Sequence, residues 1–337
     1  MKGRKNVMLV LIKRYRNFLM GVAILWVVMF HSKLDFSLSV FDYIKSVGYG
    51  GVDIFMFCSG FGIAHSLNRN PDFMSFYGRR LSRIVPTYYA FLVLFVLCKF
   101  VIKDYMNLME ILGNVTLTGW WNGVSNQFNW YIQALPFYYI LSPIIYHIIA
   151  SDDGKVGRCF FLSLLISFTF FCQTTLMAVS RFPVLIIGIY FGVLATKQDM
   201  KKQLSERKVY AMSGIAGIIG IAVLILSDVK YHDFLWDYGL WWYPFILIAP
   251  CMCVMIPLMC KYIDGIKPGK IMIRMIGFLG ECSFEIYLVH ICVFMIFERM
   301  KMNNVKWLVA ILVAVLGGIG YHKCVDIFTK RINVKCR

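Results

Sequence analysis

Charge is scarce in this sequence, and acidic charge scarcer still. Asp, Glu, Lys and Arg make up 16% of 337 residues, with 18 acidic against 35 basic, where a soluble domain carries about 25% charge. With 59% of the chain hydrophobic, there is too little polar surface to clothe a soluble core, so that class is excluded. Eleven cysteines are present without one CxxC pair, and most lie in apolar runs where a free thiol behaves as a small hydrophobe. No spacing points to a metal site or a disulfide framework. There is no low-complexity segment, no internal repeat and no stretch long enough for a separate soluble domain. The net charge of +17 therefore does not read as nucleic-acid binding, which needs a basic face on a folded soluble domain. It reads as basic cytosolic loops attracted to anionic lipid. The basic N-terminus and following apolar run lack a small-residue cleavage site, so they read as an uncleaved first span.

What the chain does have is long apolar runs. A span needs about 20 such residues, and the runs predict a multi-pass membrane protein: one all-α bundle over 1–337, of about ten spans. They fall at 17–36, 47–67, 84–102, 130–150, 159–178, 182–196, 209–227, 239–260, 276–297 and 307–323, the sixth being short. With the N-terminus in the cytosol, alternation puts most of the 35 basic residues on the cytosolic side and brings the C-terminus back there. The longest outer loop, 103–129, contains Trp120 and Trp121. These read as interfacial anchors or as a stacking platform for a sugar ring.

Against that background the polar residues stand out. The stretch Gly50 to Pro86 holds a carboxylate, Asp53, inside an apolar segment and then Arg79, Arg80 and Arg83 in a short cationic loop. A carboxylate at membrane depth is costly, so it reads either as a functional group or as the partner of a buried arginine. Arg80 and Arg83 share one face of a helical turn and could grip phosphates together, though anchoring of a positive loop also accounts for arginines here. Between the two, Ser59, Gly60, Phe61 and Gly62 let helices approach closely. His31 closes the first span and is a candidate general base toward a hydroxyl, or else a packed interfacial histidine. The HSKLD run from His31 to Asp35 matches an HxxxD pattern of soluble acyltransferases by chance, because its setting is a membrane one. In the ninth span Ser283, Tyr287 and His290 fall on one helical stripe, facing the bundle interior as interhelical hydrogen bonds or as the lining of a substrate path. Glu281 and Glu285 lie on other faces. Arg181 precedes the sixth span, to snorkel or to pair with an acidic or hydroxylated group.

The pattern resembles the membrane-bound acyltransferase 3 family, which includes bacterial O-acyltransferases of surface and cell-wall polysaccharides. The matches are His31, GGVDIFMFCSGF, RRLSRIVP, NWYIQALPFYYILSP (with Trp130), SRFPVLIIGIYFG and LGECSFEIYLVH, in order along most of the chain. The resemblance implies a ten-helix core in the bacterial plasma membrane. It implies an acyl-CoA donor, acetyl-CoA being the expected one, taken from the cytosol without a resident cofactor. The acceptor would be a hydroxyl of a glycan or lipid-linked saccharide at the outer face. It also implies acyl transfer at His31 and donor binding by Arg80 and Arg83. Beside that, Arg79 is read as assisting those two arginines and Asp53 as a candidate to orient His31. Two departures matter. The family's usual basic residue eleven positions before the histidine is here Met20, with Arg16 one turn nearer the cytosol as its substitute. The glutamate many members carry in the fourth span is replaced by Leu135 and Pro136. A saccharide transporter or flippase, and a non-catalytic paralogue in polysaccharide assembly, are the competing readings.

Overall fold

The computed structural model describes residues 7–124, 129–151, 155–169, 178–196, 205–237, 240–300 and 302–335. The predicted basic residues Lys2, Arg4, Lys5, Lys197, Lys201, Lys202 and Arg337 lie outside them, as does the end of the predicted fifth span. Every regular element among the described residues is a helix. In chain order they are α1 (Val7–His31), α2 (Ser39–Ser46), a 3-10 turn (Gly48–Gly50), α3 (Gly51–Arg69), α4 (Phe73–Val101), α5 (Leu108–Thr116), α6 (Trp130–Ser151), α7 (Lys155–Thr169), α8 (Phe182–Thr196), α9 (Glu206–Asp237), α10 (Phe245–Ile263), α11 (Lys267–Glu281), α12 (Ser283–Phe297) and α13 (Asn304–Lys335). Six described helices are long and apolar enough to cross a membrane, and the bent pair α11–α12 makes a seventh. α8 is apolar but shorter, ending and starting where the sequence predicts. α1 has the length, but Lys13, Arg14 and Arg16 make its first half polar. It begins ten residues before the predicted span.

α3 is the buried centre of the bundle, and glycines set how closely its neighbours approach. A Cβ on Gly60 would come within 2.3 Å of the Leu185 carbonyl oxygen, and one on Gly188 within 2.3 Å of that of Phe57. α3 and α8 thus touch backbone to backbone, as the SGFG run suggests and as helices in lipid do where small residues meet. At the periphery, α9 and α13 expose Ile215, Ile218, Leu226, Leu308, Leu312 and Leu316, a surface that suits acyl chains and not water.

The ninth predicted span is not one straight helix. It bends by 73° between α11 and α12, at Cys282, whose ψ of 6° leaves the helical region. α11 lies along the first half of α1: a Cβ on Gly280 would stand 1.8 Å from the Asn17 carbonyl oxygen, and one on Gly21 1.9 Å from that of Ile276. Lys267, Lys270 and Arg274 fall on one stripe of α11, which suits an interfacial helix more than a crossing one. The outer-loop reading also changes. Trp120 is 1% exposed, and its backbone N–H donates to Gln133 Oε1 at 2.6 Å, so it is neither an interfacial anchor nor an open sugar platform. Trp121 donates from Nε1 to the Gln133 carbonyl at 3.0 Å.

Candidate active site

The junction of α1, α3, α4, α6 and α12 leaves a hollow at the end of the bundle that carries the arginines. It holds about 690 Å³ counting its open mouth, and Arg16, Met20, Arg80, Arg83, Ser283 and Tyr287 line it together with Ser59, Tyr131, Leu135 and Tyr139. Arg16 is fixed from α1 onto α3, its Nε donating to the Cys58 carbonyl at 3.0 Å. Arg80 lies over the rings of Phe76, at 5.4 Å, and Tyr139, at 5.7 Å. Such packing holds a guanidinium in place without neutralising it, leaving its charge for an anion. A wider adjoining hollow shares Arg16, Met20 and Arg83 and is edged by Glu281, Glu285, His322 and Asp326. Glu281 is exposed and accepts from Asn17 Nδ2 at 2.9 Å. Glu285 is buried and meets His322, Oε1 to Nδ1 at 3.2 Å.

Arg79 does not join the other arginines. It is exposed, with Nη2 donating to Ser66 Oγ at 3.3 Å, and it is not among the residues lining either hollow. It directly precedes Arg80, and successive residues on a helix face different ways.

The stripe on α12 leads from this hollow into the bundle. Ser283 and Tyr287 line it; His290, a turn further and fully buried, brings Nε2 to 3.2 Å from Nδ1 of His31. His31 Nδ1 also lies 3.0 Å from the Val27 carbonyl, and His290 Nδ1 lies 3.2 Å from that of Ile286. On the hollow's wall the rings of Tyr131 and Tyr287 meet, centroids 5.6 Å apart, and Tyr287 reaches on to the His290 ring at 5.7 Å. Met20 and His31 are about 16 Å apart along α1 by the helical rise. One end of the stripe thus carries cations and the other an imidazole pair.

Asp53 belongs to a different assembly, and the expectation that it orients His31 is replaced by another pairing. Its Oδ2 lies 3.6 Å from Arg181 Nε, both side chains being 1% exposed. The guanidinium of Arg181 is flanked by Trp130, at 4.9 Å, and Trp242, at 5.4 Å. Arg181 therefore pairs and does not snorkel, and Trp130 holds that arginine in position. Two charges this deep are tolerated because each is the other's counter-ion. The pair ties the start of α3 to the start of α8.

Sequence reasoning missed Ser59, Tyr131 and Tyr139 in the hollow. Tyr131 and Tyr139 stand eight positions apart in the tract NWYIQALPFYYILSP, a helical spacing that a face-by-face reading of α6 would find. It also missed a buried polar network of Asn114, Asn129, Gln133 and Tyr88 that closes the outer loop onto α6. There Gln133 Nε2 donates to Asn129 Oδ1 at 2.8 Å, Asn129 donates to Asn114, and Tyr88 donates to the Asn114 carbonyl at 3.0 Å.

The chain matches the family described as an acyltransferase domain, acyltransferase 3, over residues 15–321. It belongs to the acyltransferase 3 family. The match runs from the residue before Arg16 through His31, the α4 arginines and the α12 stripe, so both ends of the polar path lie within the domain. This membership and the apolar helices make the chain a multi-pass membrane protein of an acyltransferase family. No match was found among curated proteins or among solved structures. Among the described residues no three His, Cys, Asp or Glu side chains group as a metal ion would need.

Proposed function

We propose that this acyltransferase 3 protein takes an acyl group, acetyl in the first instance, from acyl-CoA on the cytosolic side and passes it to a hydroxyl of a glycan or lipid-linked saccharide. In this reading the chain crosses a bacterial plasma membrane about ten times, with both ends and the arginine hollow in the cytosol. The carrying observation is the convergence of Arg16, Arg80 and Arg83 on one hollow, from which the α12 stripe leads to His31. Three guanidiniums supply charge-assisted hydrogen bonds to the donor's phosphates. Arg16 takes the part that Met20 cannot. Tyr131 and Tyr287 lie on the thioester arm's way toward His31, their rings in edge contact with centroids 5.6 Å apart.

At His31 the acceptor hydroxyl gives its proton to the imidazole as its oxygen attacks the thioester carbonyl. The carbon–sulfur bond breaks, and the departing thiolate takes the proton back from His31 to leave as the thiol. The product is an ester, and no oxidant or cofactor enters the balance. Purified protein in lipid nanodiscs should bind acetyl-CoA, with affinity falling at least tenfold in the double variant Arg80→Ala, Arg83→Ala, on the scale of about 1.4 kcal/mol per factor of ten. Arg79→Ala should leave binding unchanged. Equal binding by the double variant and the parent would remove the donor site, and saccharide movement without thioester consumption would favour a flippase.

A further inference from the structure

A histidine that bonds back to the carbonyl four residues earlier is ordinary on a helix. His65 does so, Nδ1 to the Phe61 carbonyl at 3.0 Å. His31 does the same, but a second imidazole meets the same nitrogen: His290 Nε2, from a helix 259 residues away in sequence, at 3.2 Å. His290 is 0% exposed, and its ring lies 5.7 Å from those of Tyr287 and Phe294, so it has little freedom to turn.

The three carbonyl and ring contacts admit one assignment of protons. Carbonyl oxygens only accept. With its proton on Nδ1, His290 donates to the Ile286 carbonyl and offers a lone pair at Nε2. With its proton on Nδ1, His31 donates into the space shared by the Val27 carbonyl and that lone pair. The reverse assignment sets His290 Nδ1 against the Ile286 oxygen and His31 Nδ1 against the Val27 oxygen, lone pair to lone pair in both cases. His31 Nε2 is then the nitrogen with an unused lone pair, and it has no partner among the described residues. His31 is half-buried, so this nitrogen is the one an incoming group can meet.

We propose that His290 is the positioning residue of His31: it holds His31 as the Nδ1–H tautomer, presents Nε2 as the proton acceptor, and strengthens its hold when Nε2 is protonated. This rests on the acyl-transfer reading above for its consequence, not for its geometry. As the acceptor hydroxyl loses its proton to His31 Nε2, the ring becomes an imidazolium. The Nδ1–H···Nε2 bond to His290 becomes charge-assisted, and such bonds are about twice as strong as neutral ones. When the proton passes to the departing thiolate, the pair returns to its starting state. His290 does not touch the reacting atoms.

The chain has six histidines, few enough for nitrogen-15 histidine spectra of the full chain in nanodiscs to be assigned ring by ring, with His31→Ala identifying its own signals. The expected spectrum shows His31 protonated at Nδ1 at neutral pH. In acetyl-CoA-dependent acyl transfer, His290→Phe, which keeps a ring but no acceptor, should lower kcat by about tenfold to a hundredfold, part of the 10² to 10⁴ general-base catalysis supplies, with KM for acetyl-CoA unchanged. His290→Gln, whose amide oxygen reaches where Nε2 stood, should restore most of it. The proposal is overturned by His31 protonated at Nε2 in the parent chain, by parent-like kcat in His290→Phe, or by equal loss in Phe and Gln variants. A parent chain that transfers no acyl group overturns the proposed function instead, and the ring spectra still decide the pairing.

Discussion

Asp53 and Arg181 stand 128 positions apart, and nothing in either one's neighbourhood of sequence names the other. Each alone carries a cost that sequence can see, a charge in an apolar run; their meeting is a property of how α3 and α8 cross. Removing one partner leaves the other charge buried, a loss on the order of 3–5 kcal/mol. Asp53→Ala should therefore cut the yield of monodisperse protein and its melting temperature in detergent, as should Arg181→Met. The double variant should recover part of the loss, because two apolar groups no longer strand a charge. A double variant as unstable as the sum of the two would show that the residues are not coupled. The same limit applies to His31: its place at a helix end was legible, and its pairing with His290 was not, because only the approach of α12 to α1 creates it. Arg79 against Arg80 is the opposite case. Their separation follows from helical geometry and was available once the start of α4 was taken as helix.

Helices were the most legible level, because apolar runs mark where helices lie and glycine marks where they touch, though α1, α4, α9 and α13 run about ten residues beyond the predicted spans. The run Phe182–Thr196 forms α8 with the bounds the sequence predicts, and Ser59–Gly62 marks where α3 meets it. Gly188→Val should prevent that meeting, since its Cβ would enter the Phe57 carbonyl oxygen at 2.3 Å. The readout is loss of the folded species by size-exclusion fluorescence, whereas Gly78→Ala, with nothing within 4 Å of its Cβ, should behave as the parent. Comparable behaviour of the two would contradict the close packing. The bend at Cys282 was not legible. LGECSF interrupts hydrophobicity only briefly, so by composition it continues a span, and it breaks because Gly280 presses α11 against α1 while α12 continues past the hollow. That break brings Ser283 and Tyr287 to the hollow lined by Arg16, Arg80 and Arg83.

For the whole molecule, composition sufficed for class: an all-helical membrane protein with an arginine-rich side and an apolar belt. What composition could not give is the layout of one polar path, with Arg16, Arg80 and Arg83 at one end, the imidazole pair at the other, and two tyrosines between. The central claim is that a donor held by those arginines gives its acyl group to an acceptor through His31. The direct test supplies radiolabelled acetyl-CoA to inside-out membrane vesicles carrying the parent chain or His31→Ala at equal levels, and measures both donor binding and label in the glycan and lipid fractions. The account predicts labelled product from the parent, product lowered by about 10² or more in His31→Ala, and equal donor binding by both. Parent-like labelling by His31→Ala would contradict it.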